Sequence, residues 1–189
     1  MNFNSKLGDY IMVAENVMPH DLCDRIIAEY SNDEEYILAS VQNNQINTDV
    51  RKVKQIVLSH DESISVNRLE RSGIDAEIFK SAEKAIKAYA AEHNTFNVTS
   101  DTGYELLRYQ TGDFYAEHTD SFETNPRSLS CSFALNDDYE GGHFGFFDRK
   151  VTIKAPKGAA VMFPSNFMYP HEIMPVTNGT RYSIITWFI

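Results

Sequence analysis

Along the second half of the chain, short apolar runs alternate with turn-forming residues. The runs are GYELLRYQ, SLSCSFALN, GGHFGFF, VTIKA, GAAVMFP, HEIMPV and RYSIITWFI, and TGD, NDD, the Gly141 and Gly142 pair, PKG and TNG separate them. Runs of this length and β-branched or aromatic content, bounded by Gly, Pro, Asn and Asp, predict strands. Upstream the period changes. Ile74, Ile78, Ala82, Ala85, Ile86 and Tyr89 recur at three- and four-residue spacing, which predicts a long amphipathic helix ending near His93 and Asn94. In LCDRIIAEY, after Pro19 and His20, the residues Leu22, Ile26, Ile27 and Tyr30 share one face of a shorter helix. Tyr10–Val17 has the character of a strand, and the polar, partly basic run from Asn43 to Gln55 predicts a loop or irregular strand able to act as a lid.

Helices followed by seven turn-separated strands predict an α+β fold, mainly β: a double-stranded β-helix of jelly-roll or cupin type, buttressed by N-terminal helices. An open sandwich is the alternative. The length of 189 residues suits one domain, 1–189, with a helical support and lid region over 1–100 and the jelly-roll core over 101–189. The aromatic residues agree, because 16 of the 23 fall from Tyr104 onward.

A net charge of -10 disfavours nucleic acid or an anionic membrane as partner and leaves a protein, peptide or small molecule. No apolar run is long enough to span a bilayer, and the first residues lack a secretory pattern, so a cytoplasmic protein is expected, as monomer or dimer. Cys23 and Cys131 are too few and too far apart for a disulfide framework or a thiolate metal site, and both are expected as buried reduced thiols.

Candidate chemistry begins with YAEHTD. If that segment is extended, His118 and Asp120 project from the same face and form a two-point metal grip. His171, opening HEIMPV, offers a third ligand. Two histidines and a carboxylate leave coordination positions open, as in non-haem iron(II) oxygenases, and the set suits iron better than zinc. Each histidine taken alone reads equally well as an ordinary strand residue bonded to backbone or water. Arg181 follows His171 by ten residues, across the turn TNG. In a plain hairpin about Asn178 and Gly179 it would face Val176, roughly 15 Å of strand from His171. That excludes metal contact and suits a guanidinium gripping the far carboxylate of a diacid; the alternative is a surface charge paired with Glu172 or Asp148.

Taken as an ordered series, Y-Q-T-G-D-F-Y-A-E-H-T-D, R-S-L-S-C-S-F-A-L-N, Y-E-G-G-H-F-G-F-F, G-A-A-V-M-F-P-S and H-E-I-M-P-V-T-N-G-T-R-Y-S-I-I-T-W resembles the iron(II)- and 2-oxoglutarate-dependent dioxygenases, in their prolyl 4-hydroxylase-like branch. The resemblance covers Tyr109 to Trp187. It implies His118, Asp120 and His171 as iron ligands, Arg181 as the holder of the distal carboxylate of 2-oxoglutarate and Tyr109 as a hydroxyl bonding that co-substrate. Tyr115, Arg127 and Trp187 correspond to substrate and pocket positions, and Gly141 and Gly142 to the glycines that open a strand. It also implies ascorbate as accessory reductant and no catalytic residue beyond the metal centre. The implied reaction hydroxylates an unactivated C–H, in a peptidyl proline by resemblance, with release of succinate and carbon dioxide.

Three departures stand out. Arg181 occupies a place where collagen-type enzymes have lysine. Ala134 falls where some relatives have a tyrosine assisting the distal carboxylate, so Ser130, Ser132 or a water is expected to substitute. His143 follows the glycine pair and is expected to face solvent or substrate. A free amino acid or other small molecule is the alternative substrate. A cupin-type zinc or manganese enzyme, or a lectin-like binding module, would use the same sheets without 2-oxoglutarate.

Overall fold

The computed structural model describes residues 5–41, 45–60, 73–93, 97–124 and 126–189. Its helices are α1 (Ser5–Gly8), α2 (His20–Glu29) and α3 (Gly73–Glu92). In chain order the strands of the first half are β1 (Met12–Ala14), β2 (Ile37–Leu38), β3 (Arg51–Lys52) and β4 (Lys54–His60). Those of the second half are β5 (Gly103–Gln110), β6 (Phe114–His118), β7 (Leu129–Ala134), β8 (Glu140–Gly141), β9 (Phe144–Phe146), β10 (Val151–Ile153), β11 (Ala160–Pro164), β12 (His171–Ile173), β13 (Val176–Asn178) and β14 (Thr180–Phe188). A seven-stranded sheet in the order β1-β11-β7-β14-β5-β4-β2 faces a five-stranded sheet in the order β10-β9-β12-β6-β3, and β13 and β8 form a separate ribbon.

Strand alternation sorts the side chains of the larger sheet into two cores. Tyr104 and Leu106 of β5, Cys131 and Phe133 of β7, Met162 of β11 and Ile184 of β14 pack outward against Leu22, Cys23 and Ile26 of α2 and Ile78, Ala82, Ala85 and Tyr89 of α3. The predicted helical faces are therefore the ones that cover the sheet. Burying an Ile or Leu fully stabilises the fold by roughly 1.5–3 kcal/mol, and Ile26, Ile78, Leu106 and Ile184 are all buried completely. Arg25 ties α2 to Glu77 of α3 by two side-chain hydrogen bonds. The alternate residues of the same strands, Leu107 and Tyr109, Ala134, Val161 and Phe163, turn inward to a second core shared with Phe144, Phe146 and Ile173 of the smaller sheet.

The structure corrects three expectations. The first half is less helical than its polar pattern implied, because β4 pairs with β5 over Lys54 to His60. The predicted lid contains β3 and the start of β4, around the fully buried Val53, while its residues Asn43 and Asn44 lie outside the described residues. The run HEIMPV is two strands. Pro175 has no N–H for a continuing ladder, and its carbonyl accepts instead from Gly142 N. The chain then leaves the small sheet, β13 pairs with β8, and β14 enters the large sheet between β7 and β5. Arg181 consequently lies opposite Tyr109 in register, not opposite Val176.

Candidate active site

The two sheets enclose a cavity of about 370 Å³ that opens at one end. His118 and His171 reach it as register partners on β6 and β12. Each ring is aimed by the same device: Nδ1 bonds a backbone carbonyl two residues earlier, Ala116 O at 2.8 Å for His118 and Tyr169 O at 3.1 Å for His171. If Nδ1 carries the proton that these bonds require, Nε2 keeps its lone pair for a metal.

Asp120 follows the end of β6, and the backbone N–H groups of Asp120 and Ser121 both donate to Ser165 O. Its carboxylate lies 3.4 Å from His118 Nε2 through Oδ1 and 3.6 Å from His171 Nε2 through Oδ2. One ligand atom from each of the three residues falls within 4.8 Å of the others. Among the described residues this is the one cluster of three such side chains able to hold a metal.

The protonation states suit that use. Burial opposes the charge of Asp120, but the two imidazoles and the Ser130 hydroxyl outweigh it and hold the carboxyl well below the usual carboxylate range. Burial lowers His171 to about 4, with the His118 imidazole adding to the effect against the pull of Asp120. An ionised carboxylate and a neutral imidazole are the forms that bind a divalent cation.

Arg181 is 4% exposed on β14. Its Nη1 donates to Ser183 Oγ at 2.9 Å, and its Cζ stands 5.0 Å from the Tyr109 ring and 5.4 Å from that of Phe144. Neither expected acid reaches it: Glu172 is held by Arg149 through Nε and Nη2, and Asp148 lies beside Lys150. Among the described residues Arg181 has no carboxylate partner. A buried guanidinium is stable only when an anion or several hydrogen bonds compensate it. Gly142 makes room for the arginine, since a Cβ there would lie 3.1 Å from Arg181 Cδ at a φ of +62°.

The remaining predicted residues converge on the same cavity. Tyr109 is 1% exposed, and burial raises its phenol against the pull of Arg181. The Tyr115 ring lies flat on His118 with centroids 3.5 Å apart, and burial pushes its phenol up to about 12. Arg127 lies over the Trp187 ring at 3.5 Å and donates to Asp120 O at 3.1 Å. His143 stands outside the cavity lining, where its carbonyl accepts from Met174 N.

The sequence reading looked to Ser130, Ser132 or a water beside Arg181, and of these Ser132 lines the cavity together with Arg181. Ser130 bonds Asp120, and Ser183, the register partner of Ala134, supplies the hydroxyl beside Arg181. A usable signal existed, because two residues along a strand return to the same face. Arg51, inside the stretch read as a lid, and Glu105 also line the cavity, although neither was singled out as a site residue.

Comparison with known proteins bears directly on this geometry. Residues 104–189 match the model of the 2OG-Fe(II) oxygenase superfamily, the one that the sequence resembles. The chain is similar to a PKHD-type hydroxylase of Idiomarina loihiensis, at 33% identity over 88 residues, 43% of this chain and 39% of that protein. It is also similar to procollagen-lysine,2-oxoglutarate 5-dioxygenase 1 of Rattus norvegicus, at 38% identity over 64 residues, 32% of this chain and 9% of that protein. The chain thus spans about two-fifths, or less, of the length of these curated relatives. Among solved structures, a prolyl hydroxylase from Trichoplax adhaerens in complex with a hypoxia inducible factor oxygen degradation domain peptide fragment superposes with a TM-score of 0.77. Its identity is 16%, over 98% of this chain and 86% of that one. A prolyl-4-hydroxylase from Pseudomonas putida gives a TM-score of 0.73 at 19% identity, over 95% and 92%. The likeness shows that the fold is the double-stranded β-helix of these enzymes.

Proposed function

From the superfamily match over residues 104–189 we propose that this protein is an iron(II)- and 2-oxoglutarate-dependent dioxygenase that hydroxylates an unactivated C–H. One observation carries the reading: a buried guanidinium without a carboxylate partner among the described residues shares a cavity with two histidines and an aspartate arranged as a facial metal site. The arginine calls for an anion, and the ligand set leaves positions open for a chelating keto acid. A five-carbon diacid with a keto group at one end answers both requirements.

In this reading His118, Asp120 and His171 hold iron(II). When bound, iron(II) and 2-oxoglutarate supply the oxidative chemistry, consuming dioxygen and releasing succinate and carbon dioxide. The residues of the chain bind and orient. Arg181 takes the distal carboxylate, with the Ser183 hydroxyl, which already accepts from Arg181, turning its O–H to the same group, and Tyr109 alongside. Tyr115, Arg127 and Trp187 form the substrate side of the cavity, and the Phe144 and Ile173 side chains keep water from the centre. No protein acid, base or nucleophile is needed.

The substrate is a peptidyl proline in this proposal, on the strength of the fold shared with prolyl hydroxylases. We take 1–189 as one domain, supported by a large sheet that joins β1, β2 and β4 to strands of the second half. No helix among the described residues is long and apolar enough to cross a membrane, and the cytoplasm remains the proposed location.

The test is the visible spectrum of metal-free protein under nitrogen as iron(II) and then 2-oxoglutarate are added. A charge-transfer band that needs both and is lost in His118→Ala supports the assignment, with weakened co-substrate affinity in Arg181→Ala. Turnover assays with ascorbate as reductant then address the substrate. Folded, metal-loaded protein that gives no band would remove the proposal and favour a cupin-type enzyme.

A further inference from the structure

Among the described residues, five formally charged side chains line the cavity: Arg51, Arg127, Arg181, Glu105 and Asp120. In the reading above, iron(II), Asp120, a doubly charged co-substrate and Arg181 cancel one another. Among the described lining residues Arg51 and Arg127 are then balanced by Glu105, which leaves one unit of positive charge on that side in a protein whose net charge is -10.

Both arginines are held in ways that leave hydrogen-bond donors over. Arg51 lies on β3 opposite Tyr115, with Nη1 donating to Ser40 O at 2.6 Å and Cζ 4.8 Å from the Tyr115 ring. Arg127 lies flat on Trp187 and gives Nη1 to Asp120 O. The Nε atom of each is buried without a hydrogen-bond partner. An aromatic face fixes the plane of a guanidinium while leaving its edge free, and that edge matches a carboxylate in two parallel bonds.

We propose that Arg51 and Arg127 form a carboxylate-binding subsite at the substrate side of the cavity, so that the substrate presents a carboxylate close to the C–H that is hydroxylated. The carboxylate belongs either to a free chain end or to an acidic side chain next to the target residue. This rests on the oxygenase reading and narrows its substrate class. It also makes Arg51 a specificity residue, linked through the Tyr115 ring to the metal ligand His118.

The anaerobic iron(II) and 2-oxoglutarate complex provides the test, because Trp187 is the sole tryptophan and its fluorescence reports on Arg127 above it. One arm titrates the N-acetyl forms of the common amino acids against their N-acetyl amides. The other titrates blocked tripeptides of those residues followed by glutamate against the same peptides with glutamine. The tightest ligands are expected to be carboxylates, favoured about tenfold or more over their neutral partners, and the arm in which they appear identifies the source. The preference is expected to collapse in Arg51→Gln while the charge-transfer band persists. In Glu105→Gln it is expected to rise, a gain that damaged folding does not produce. Acids and amides that bind alike, or no binding by any probe while the band forms, overturns the subsite. Absence of the band itself removes the oxygenase reading, and the subsite with it.

Discussion

The Ser130 hydroxyl donates to Asp120 Oδ2 at 2.6 Å, and Ser165 Oγ lies 2.8 Å behind it. Both serines are essentially inaccessible to bulk solvent. The Ser130 hydroxyl occupies one carboxylate oxygen of Asp120 and would leave the other to hold a metal. Replacing Ser130 by Ala frees Oδ2 and removes the constraint on rotation. Partners of ligands at metal sites are worth about 10- to 100-fold in affinity. Ser130→Ala is expected to weaken cobalt(II) binding within that range and Ser130→Thr to recover most of it, as read by titration of the cobalt visible spectrum. Unchanged affinity in Ser130→Ala would show that backbone contacts alone hold Asp120.

Arg181 is a buried charge without a carboxylate partner among the described residues, so the fold is less stable with it than with an apolar side chain of similar reach. Arg181→Met is expected to raise the melting temperature of ligand-free protein by several degrees, since about 1 kcal/mol corresponds to about 2–4 °C at this size. The same variant is expected to lose the charge-transfer response to 2-oxoglutarate. A lower melting temperature in Arg181→Met would mean that the Ser183 bond and the stacked rings already compensate the charge.

Acid is expected to destabilise the metal-free protein through His171. Its pKa is about 4 in the fold against 6.5 for the free side chain. Below about pH 6.5 the unfolded chain binds a proton that the folded one refuses, so stability is complete above that value and falls as pH drops toward 4. Asp120, lowered by its partners, extends the loss further into acid. Calorimetric melting between pH 8 and 4.5 checks this, and His171→Leu is expected to flatten the profile over that window. A wild-type profile as flat as that of the variant would contradict a buried neutral imidazole.

Both cysteines are expected to be inert in the native state. Burial raises Cys23 to about 11 and Cys131 higher still, so almost no thiolate exists near pH 8. Iodoacetamide at that pH is expected to modify neither until denaturant is added, as read by intact mass. Rapid single labelling of the folded protein would place a thiol outside the core described for it.

Much of the site was legible without coordinates because strand chemistry is local. The run YAEHTD supplies His118 at the end of β6 and Asp120 just past it, HEIMPV and RYSIITW supply His171 and Arg181, and the amphipathic spacing of α2 and α3 marks the residues that cover the large sheet. Alternation along β14 was also sufficient to place Ser183 beside Arg181, although the sequence reading turned to Ser130, Ser132 or a water.

Partnership across strands was not legible, because register is set by which strands become neighbours and not by the residues of either one. The sequence alone determined which residues could bind a metal and an anion, and that an apolar face would be covered by helices. Only the tertiary structure decided that β14 inserts between β7 and β5, so that Arg181 faces Tyr109 and not Val176. It also decided that Ser130 serves Asp120, and that Arg51, from the stretch read as a lid, lines the same cavity. The physical reason is one of range: periodicity acts over a few residues, whereas hydrogen-bond pairing between strands far apart in sequence is selected by the packing of both sheets at once.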